Sequence, residues 1–212
     1  NQLNNLEAQY QKKIVHCFHD FVPTNFFTEA NKRMDPYILF VGYPFYRKGI
    51  DLLIKAFESF ADEFPTFKLY LIGHLLEDEA KKRLGRWHER VKFIKPMFYE
   101  ELQPYFLNCY CFVLPSREEG MWRVLLEAMA SGKAVVGANV GGIPALVEDG
   151  SNGLLFEGEN VEQLADKLKL LLKDQAMAQQ MGENSMAIIE QKYSSKRYVE
   201  FLATMIREVI AC

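Results

Sequence analysis

Two glutamates near the middle of the chain stand eight residues apart, with a glycine and an arginine between them. The stretch reads REEGMWRVLLEAMASGKAVV from residue 117 to 136, and its glutamates are Glu119 and Glu127. A helix that starts near Arg123 would leave Glu119 in the preceding loop and place Glu127 one turn into the helix. Helical side chains lean toward the amino end, so Glu127 can point back into a pocket whose mouth Glu119 faces. Two carboxylates at different depths suit a hydroxyl-rich ligand, such as a ribose and a sugar.

Cations and backbone N–H groups stand before helices in the neighbouring loops. The segment GYPFYRKG (42–49) places Arg47 and Lys48 just before a helical pattern. Added positive charge is unfavourable there unless an anion is expected. The backbone from Gly120 to Val124 presents N–H groups at another helix start, which suits a phosphate. With a Gly-Gly turn in residues 139–153, these loops predict a site for a phosphorylated, hydroxyl-rich ligand.

Each loop alone also has a simpler interpretation. Arg47 and Lys48 would be solvated side chains of a surface loop. Glu118 and Glu119 would be charges that interact favourably with the dipole of the next helix, and Glu127 would be a solvated helix residue. A Gly-Gly pair is often only a turn. The position of all three loops at one sheet edge is what favours a ligand site.

The elements that carry these loops alternate along the chain. Apolar runs predict strands at residues 37–41, 68–73, 91–94, 110–114, 134–139 and 153–156. Helical spacing predicts helices at residues 50–64, 77–90, 99–107, 123–131, 161–173, 175–191 and 195–210, with a turn and a short helix in the Gly-Gly loop. This alternation is typical of an α/β fold: a Rossmann-like, open parallel sheet of about six strands flanked by helices. Ligands of such sheets bind beyond the carboxyl ends of the strands.

Composition excludes several classes of function. The formal charge of the 212-residue chain is −3, with 49% hydrophobic and 25% charged residues, so a nucleic acid is not expected as a partner. Cys17, Cys109, Cys111 and Cys212 show no metal-ligand spacing, which favours reduced thiols and a cytoplasmic protein. No apolar run reaches the length of a membrane-spanning helix. The sequence has no Ser/His/Asp arrangement, Walker A motif or GxGxxG motif.

From about residue 37 to 210 the sequence resembles the C-terminal half of the retaining GT-B glycosyltransferases, family 4, also called glycosyl transferases group 1. The segments that carry the resemblance are FVGYPFYRKGIDLLIKAF, KLYLIGH, VKFIKPMFYEELQPYF and CYCFVLPSREEGMWRVLLEAMASGKAVVGANVGGIPALVEDGSNGLLF. The most specific is the E-x7-E motif, Glu119 to Glu127. The resemblance implies a Rossmann-like nucleotide-sugar-binding domain at residues 36–194. Residues 1–35 would be a lead-in that packs on an N-terminal domain, and residues 195–212 a helix that crosses back to it.

The resemblance also implies roles for individual residues. Glu119 would be catalytic, contacting the donor sugar near the reacting carbon, and Glu127 would bind the ribose hydroxyls. Lys48 would pair with the donor diphosphate, and no metal would be needed. The remaining donor-binding positions would be Gly42, Tyr43, Arg47, Ile94, Lys95, Gly120, Met121, Trp122, Arg123 and Val124. Of these, Ile94 and Lys95 would line the pocket for the nucleobase.

Three positions depart from the family pattern. Tyr43 stands where an arginine is usual, and Arg47 or Arg123 would then supply the charge. Trp122 replaces a glycine beside the phosphates, and Ala145 replaces the glutamate of a GGIPE motif.

The expected activity is transfer of a sugar, with retention, from a UDP, GDP or ADP sugar that is the substrate; no cofactor is expected. The acceptor, a glycan, a lipid or a small molecule, would be bound through the N-terminal domain, and peripheral association with the inner membrane surface stays open. The isolated domain would be inactive. One alternative is a non-catalytic, degenerate family member with a role in assembly or regulation, and another is a sugar-nucleotide epimerase.

Overall fold

The computed structural model describes residues 20–23, 34–74, 89–120 and 123–211. The strands are β1 (Tyr37–Val41), β2 (Lys68–Ile72), β3 (Val91–Ile94), β4 (Cys111–Leu114), β5 (Ala134–Ala138) and β6 (Gly153–Phe156). The helices are α1 (Ile50–Phe60), α2 (Tyr99–Asn108), α3 (Arg123–Ala130), α4 (Ile143–Leu146), α5 (Val161–Lys173), α6 (Gln175–Lys192) and α7 (Ser195–Ala211). A 3-10 turn, Ala61–Glu63, extends α1.

The six strands form one parallel sheet in the order β3-β2-β1-β4-β5-β6. All residues of β1, β4 and β5 are buried, because helices cover both faces of a parallel sheet. The sequence order reverses between β1 and β4, which is the switch point at which such sheets bind ligands. The predicted α/β class and the open parallel sheet are confirmed.

The predicted elements agree with the observed ones to within one or two residues, apart from the end of α1. There the predicted helix of residues 50–64 changes to 3-10 geometry at Ala61. The prediction of a helix at residues 77–90 falls mainly outside the described residues. The short helix expected in the Gly-Gly loop is α4.

Part of the lead-in packs against the junction of α6 and α7. Val22 is buried and bridges to Ser194, and the ring of Phe21 stacks on that of Tyr198 at 4.4 Å. The described part of the lead-in therefore lies beside the start of α7.

Close backbone packing joins the loop after β1 to the loop after β4. Gly49, which precedes α1, has a φ of 66°. A Cβ placed on Gly49 would collide with the carbonyl of Pro115, the residue after β4. Only glycine satisfies both the left-handed backbone and this contact.

We expect Gly49→Ala to destabilise the chain much more than Gly150→Ala. Gly150 also has a positive φ, of 82°, but within the described ranges an added Cβ there meets no atom beyond its chain neighbours within 4 Å. Gly150→Ala therefore costs about 1 kcal/mol of backbone strain, whereas Gly49→Ala adds a backbone collision worth roughly 2 kcal/mol more. Urea denaturation of both variants measures the difference, and equal losses would contradict this account of Gly49.

Candidate functional site

Lys48 and Glu119 form an ion pair at the carboxyl edge of the sheet. Lys48 Nζ donates to Glu119 Oε2 at 2.6 Å, and Ser116 Oγ donates to the same oxygen at 2.9 Å. The side chains of Lys48 and Glu119 are only 12% and 3% exposed. The solvated interpretation of Lys48 is therefore wrong, and Glu119 lies deeper than a residue at the mouth of a pocket.

Glu127 is buried on α3, with its residue only 5% exposed, so it is not a solvated helix residue. Arg123, one turn earlier, approaches Glu127 Oε1 through Nε at 3.4 Å. Burial raises the pKa of Glu127 to about 7, because the lowering by Arg123 does not offset the loss of water, and Asp20 raises the pKa further. The carboxyl therefore titrates near neutrality.

Gly42, Tyr43 and Arg47 belong to the loop after β1. The N–H of Gly42 donates to the carbonyl of Ile72 at 2.9 Å, which holds this loop beside the end of β2. Tyr43 is 61% exposed and meets the ring of His74 edge-on at 5.7 Å. The backbone carbonyl of Arg47 accepts a bond from the N–H of Arg117 at 2.9 Å, and the Arg47 side chain is exposed.

The remaining predicted positions lie at the ends of β3 and β4. Ile94 ends β3 and Lys95 follows it. Gly120 precedes α3, and among the described residues other than its chain neighbours no atom lies within 4 Å of an added Cβ. Val124 lies in the first turn of α3. Met121 and Trp122 lie outside the described residues.

Sequence reasoning missed the groups that hold these loops together. Ser116 bonds Glu119, and Arg117 bonds both carboxylate oxygens of Asp51 at 2.8 and 2.9 Å. Asp51 is 66 residues from Arg117 and looks in the sequence like an ordinary acidic residue of a first helical turn. No spacing signal pairs the two.

The Gly-Gly loop closes the site from a third side. A Cβ on Gly141, whose φ is 55°, would collide with the backbone carbonyl of Glu119. The loop after β4 thus packs closely against both the loop after β1 and the loop after β5, and the structure brings together the three loops that the sequence singled out.

The described residues bear on three common features: a metal site, a membrane-spanning helix and a disulfide. Within the described ranges, no group of three or more His, Cys, Asp or Glu side chains could hold a metal ion. None of the helices that the structure describes is long and apolar enough to cross a membrane. Cys109 and Cys111 are buried and form no disulfide.

The strand order and the three convergent loops define the chain as an α/β domain of the GT-B glycosyltransferase type. The chain belongs to the family described as Glycosyl transferases group 1, whose model matches residues 21–187.

Two curated relatives and one solved structure illustrate the similarity. An uncharacterized glycosyltransferase of Haemophilus influenzae is 32% identical over 167 residues, which are 77% of this chain and 46% of the relative. The D-inositol 3-phosphate glycosyltransferase of Corynebacterium diphtheriae is 34% identical over 155 residues, 68% of this chain and 36% of the relative. HepE of Anabaena, solved in complex with UDP, superposes with a TM-score of 0.73 at 26% identity, over 82% of this chain and 49% of that one. The chain thus spans less than half the length of these relatives.

We expect the wild-type chain to lose stability relative to the Glu127→Gln variant as the pH rises from about 4.5 to about 7. The pKa of Glu127 is raised in the folded state, so folding favours the protonated carboxyl. The stability that the protonated carboxyl contributes is fully present below the unfolded pKa. It is lost as the pH rises through the folded pKa. The difference in unfolding free energy between the two proteins should change by roughly 2–3 kcal/mol across this range. Urea denaturation at several pH values measures it.

Arg123→Met provides the matched control for this pH dependence. Arg123 lowers the pKa of Glu127, so without the guanidinium the loss of stability should extend to higher pH. A stability difference between wild type and Glu127→Gln that stays constant from pH 4.5 to 8 would contradict the assignment.

Proposed function

We propose that this chain is the donor-binding half of a retaining glycosyltransferase, which transfers a sugar from a nucleotide-diphosphate sugar to an acceptor without a metal ion. The observation that carries the proposal is the buried Lys48–Glu119 ion pair at the switch point of the sheet, together with the buried carboxyl of Glu127 on the helix that follows. Family membership supports the reaction class. HepE has been solved with UDP and with UDP-glucose, which makes uridine nucleotides the first donors to test.

The diphosphate of the donor would lie between Lys48 and the amino end of α3. The Lys48 ammonium, which is paired with Glu119, supplies a positive charge that the diphosphate would share with that carboxylate. The N–H groups at the start of α3 supply the positive end of a helix dipole. Arg123 at the start of α3 and the exposed Arg47 provide two further cations. Such fixed positive groups stabilise the negative charge that develops on a leaving diphosphate.

The two glutamates would divide the hydroxyl groups of the donor. Both bonds to Glu119 end on Oε2, so neither of these contacts occupies Oε1, which can accept a hydrogen bond from the donor sugar. Glu127, in its ionised form, would accept bonds from both ribose hydroxyls. Ile94 and Lys95, at the end of β3, would line the pocket for the nucleobase.

The acceptor would be bound across a cleft by an N-terminal domain. The exposed apolar side chains of Val199, Ile206 and Ile210 on α7 support an interdomain role for this helix. The pairing of the lead-in with the start of α7 brings both predicted crossing segments to one place. The isolated chain would then bind donor but not transfer sugar.

Lys48→Ala and Glu127→Ala should each weaken nucleotide-diphosphate binding by about 1–3 kcal/mol, the cost of a lost hydrogen bond to a charged group. The measurement is isothermal titration of this chain with UDP, GDP and ADP, with a thermal-shift screen of their common sugar conjugates. A nucleotide at 100 times its Kd adds about 2.7 kcal/mol of stability, which raises the Tm by several degrees.

Lys173→Ala and Glu63→Ala are matched controls, because both residues are exposed and lie where α5 and the 3-10 turn after α1 end, away from the carboxyl edge. Neither should change nucleotide affinity. Binding that survives both site substitutions unchanged would overturn the proposal. Failure of every nucleotide to bind the wild-type chain would favour the degenerate, non-catalytic alternative.

A further inference from the structure

Arg117 ties together the loops that surround the site. Its Nη1 and Nη2 bond the two carboxylate oxygens of Asp51, and Nη1 also bonds the backbone carbonyl of Tyr46 at 2.5 Å. Its Nε bonds Glu159 Oε1 at 2.6 Å, in the turn between β6 and α5. Its backbone N–H donates to the carbonyl of Arg47. One residue of the β4–α3 loop thus holds the β1–α1 and β6–α5 loops.

The guanidinium of Arg117 is itself committed to these contacts. Four hydrogen bonds use most of its five N–H groups. Hydrogen bonds to Asp51 are the largest cause that raises the pKa of Arg117, and those to Glu159 raise it further. Burial alone would raise the pKa of the Asp51 carboxyl, but the bonds from Arg117 hold this pKa below its usual value. The charge of Arg117 is therefore paired with two carboxylates of the protein, those of Asp51 and Glu159.

Lys48 lies inside the segment that Arg117 fixes. The residues on its amino side, Tyr46 and Arg47, offer their carbonyls to Arg117, and Asp51 on its other side offers its carboxylate. Arg117 is also two residues before Glu119, the ion-pair partner of Lys48. The same side chain therefore sets the position of Lys48 relative to the E-x7-E loop.

We propose that Arg117 is a positioning residue for donor binding, which acts by holding the Lys48 loop at the distance that a diphosphate requires. This inference rests on the proposed role of Lys48. A shift of the ammonium by 1 Å weakens a charged contact strongly, so the fixed loop would matter for affinity even though Arg117 does not touch the ligand. A purely structural Arg117 would stabilise the fold without acting through Lys48.

A double-mutant cycle separates the two roles. The cycle compares wild type, Arg117→Gln, Lys48→Ala and the double variant by titration with UDP, GDP and ADP, well below every Tm. If Arg117 acts through Lys48, each single variant binds roughly tenfold more weakly and the double variant is within about twofold of Lys48→Ala. Multiplicative losses in the double variant, or an Arg117→Gln variant with wild-type affinity, would overturn the inference.

Glu159→Gln is the matched control. Glu159 is the exposed partner of Arg117, and its substitution leaves the bonds to Asp51 and Tyr46 in place, so nucleotide affinity should stay within about twofold of wild type. Arg117→Lys keeps the charge but lacks the fork that spans both oxygens of Asp51. It should therefore restore only part of the affinity that Arg117→Gln loses.

Hydrogen exchange tests the geometry without any ligand. The N–H groups of Lys48 and Gly49 donate to the carbonyls of Pro44 and Tyr46 within the loop. Arg117→Gln should make these two amides exchange faster, and unchanged exchange would overturn the inference. If wild type binds none of the three nucleotides, the proposed function fails while this exchange result still decides whether Arg117 positions the loop.

Discussion

The buried ion pair between Lys48 and Glu119 is the contact on which the arrangement of the carboxyl edge depends. It joins two loops that are 71 residues apart in sequence. Burial of two charges costs free energy that their attraction recovers only in good geometry with further hydrogen bonds. Here Ser116 supplies the further bond, Gly49 lets the backbone approach Pro115, and Arg117 fixes the loop on both sides of Lys48. These neighbours therefore supply the close packing, the fixed loop and the further hydrogen bond that the buried ion pair requires.

The buried carboxyl of Glu127 carries a cost to the stability of the fold. Glu127 is buried beside the exposed Arg123, and burial moves its pKa to about 7. A leucine or glutamine at this position would avoid that cost. A buried carboxyl with a raised pKa is typical of a binding or catalytic residue, because functional sites are where burial is used to shift a pKa. Stability and the proposed ribose contact thus oppose each other at this residue.

The fold was predictable from the sequence because its signals are local. Apolar runs such as residues 37–41 and the helical spacing of residues 161–173 need no knowledge of distant contacts, and both match the observed bounds. The position of the site followed because the carboxyl ends of parallel strands meet at one edge. The burial of Glu119 could not be predicted from the sequence, since it depends on the contacts of this residue with Lys48 and Ser116. The Arg117–Asp51 pair was not predictable either, because each residue alone has an ordinary surface role.

The charges of the edge have consequences for what a donor must do on binding. Arg117 is already neutralised by Asp51 and Glu159, and Lys48 is already paired with Glu119. In the proposed complex a diphosphate would therefore meet little uncompensated charge from these two cations, and it would share Lys48 with Glu119. Sharing would bring the Glu119 carboxylate close to the diphosphate and hence to the sugar carbon attached to it. Under this proposal the ion pair would link the binding of the leaving group to the position of the carboxylate that the reaction uses.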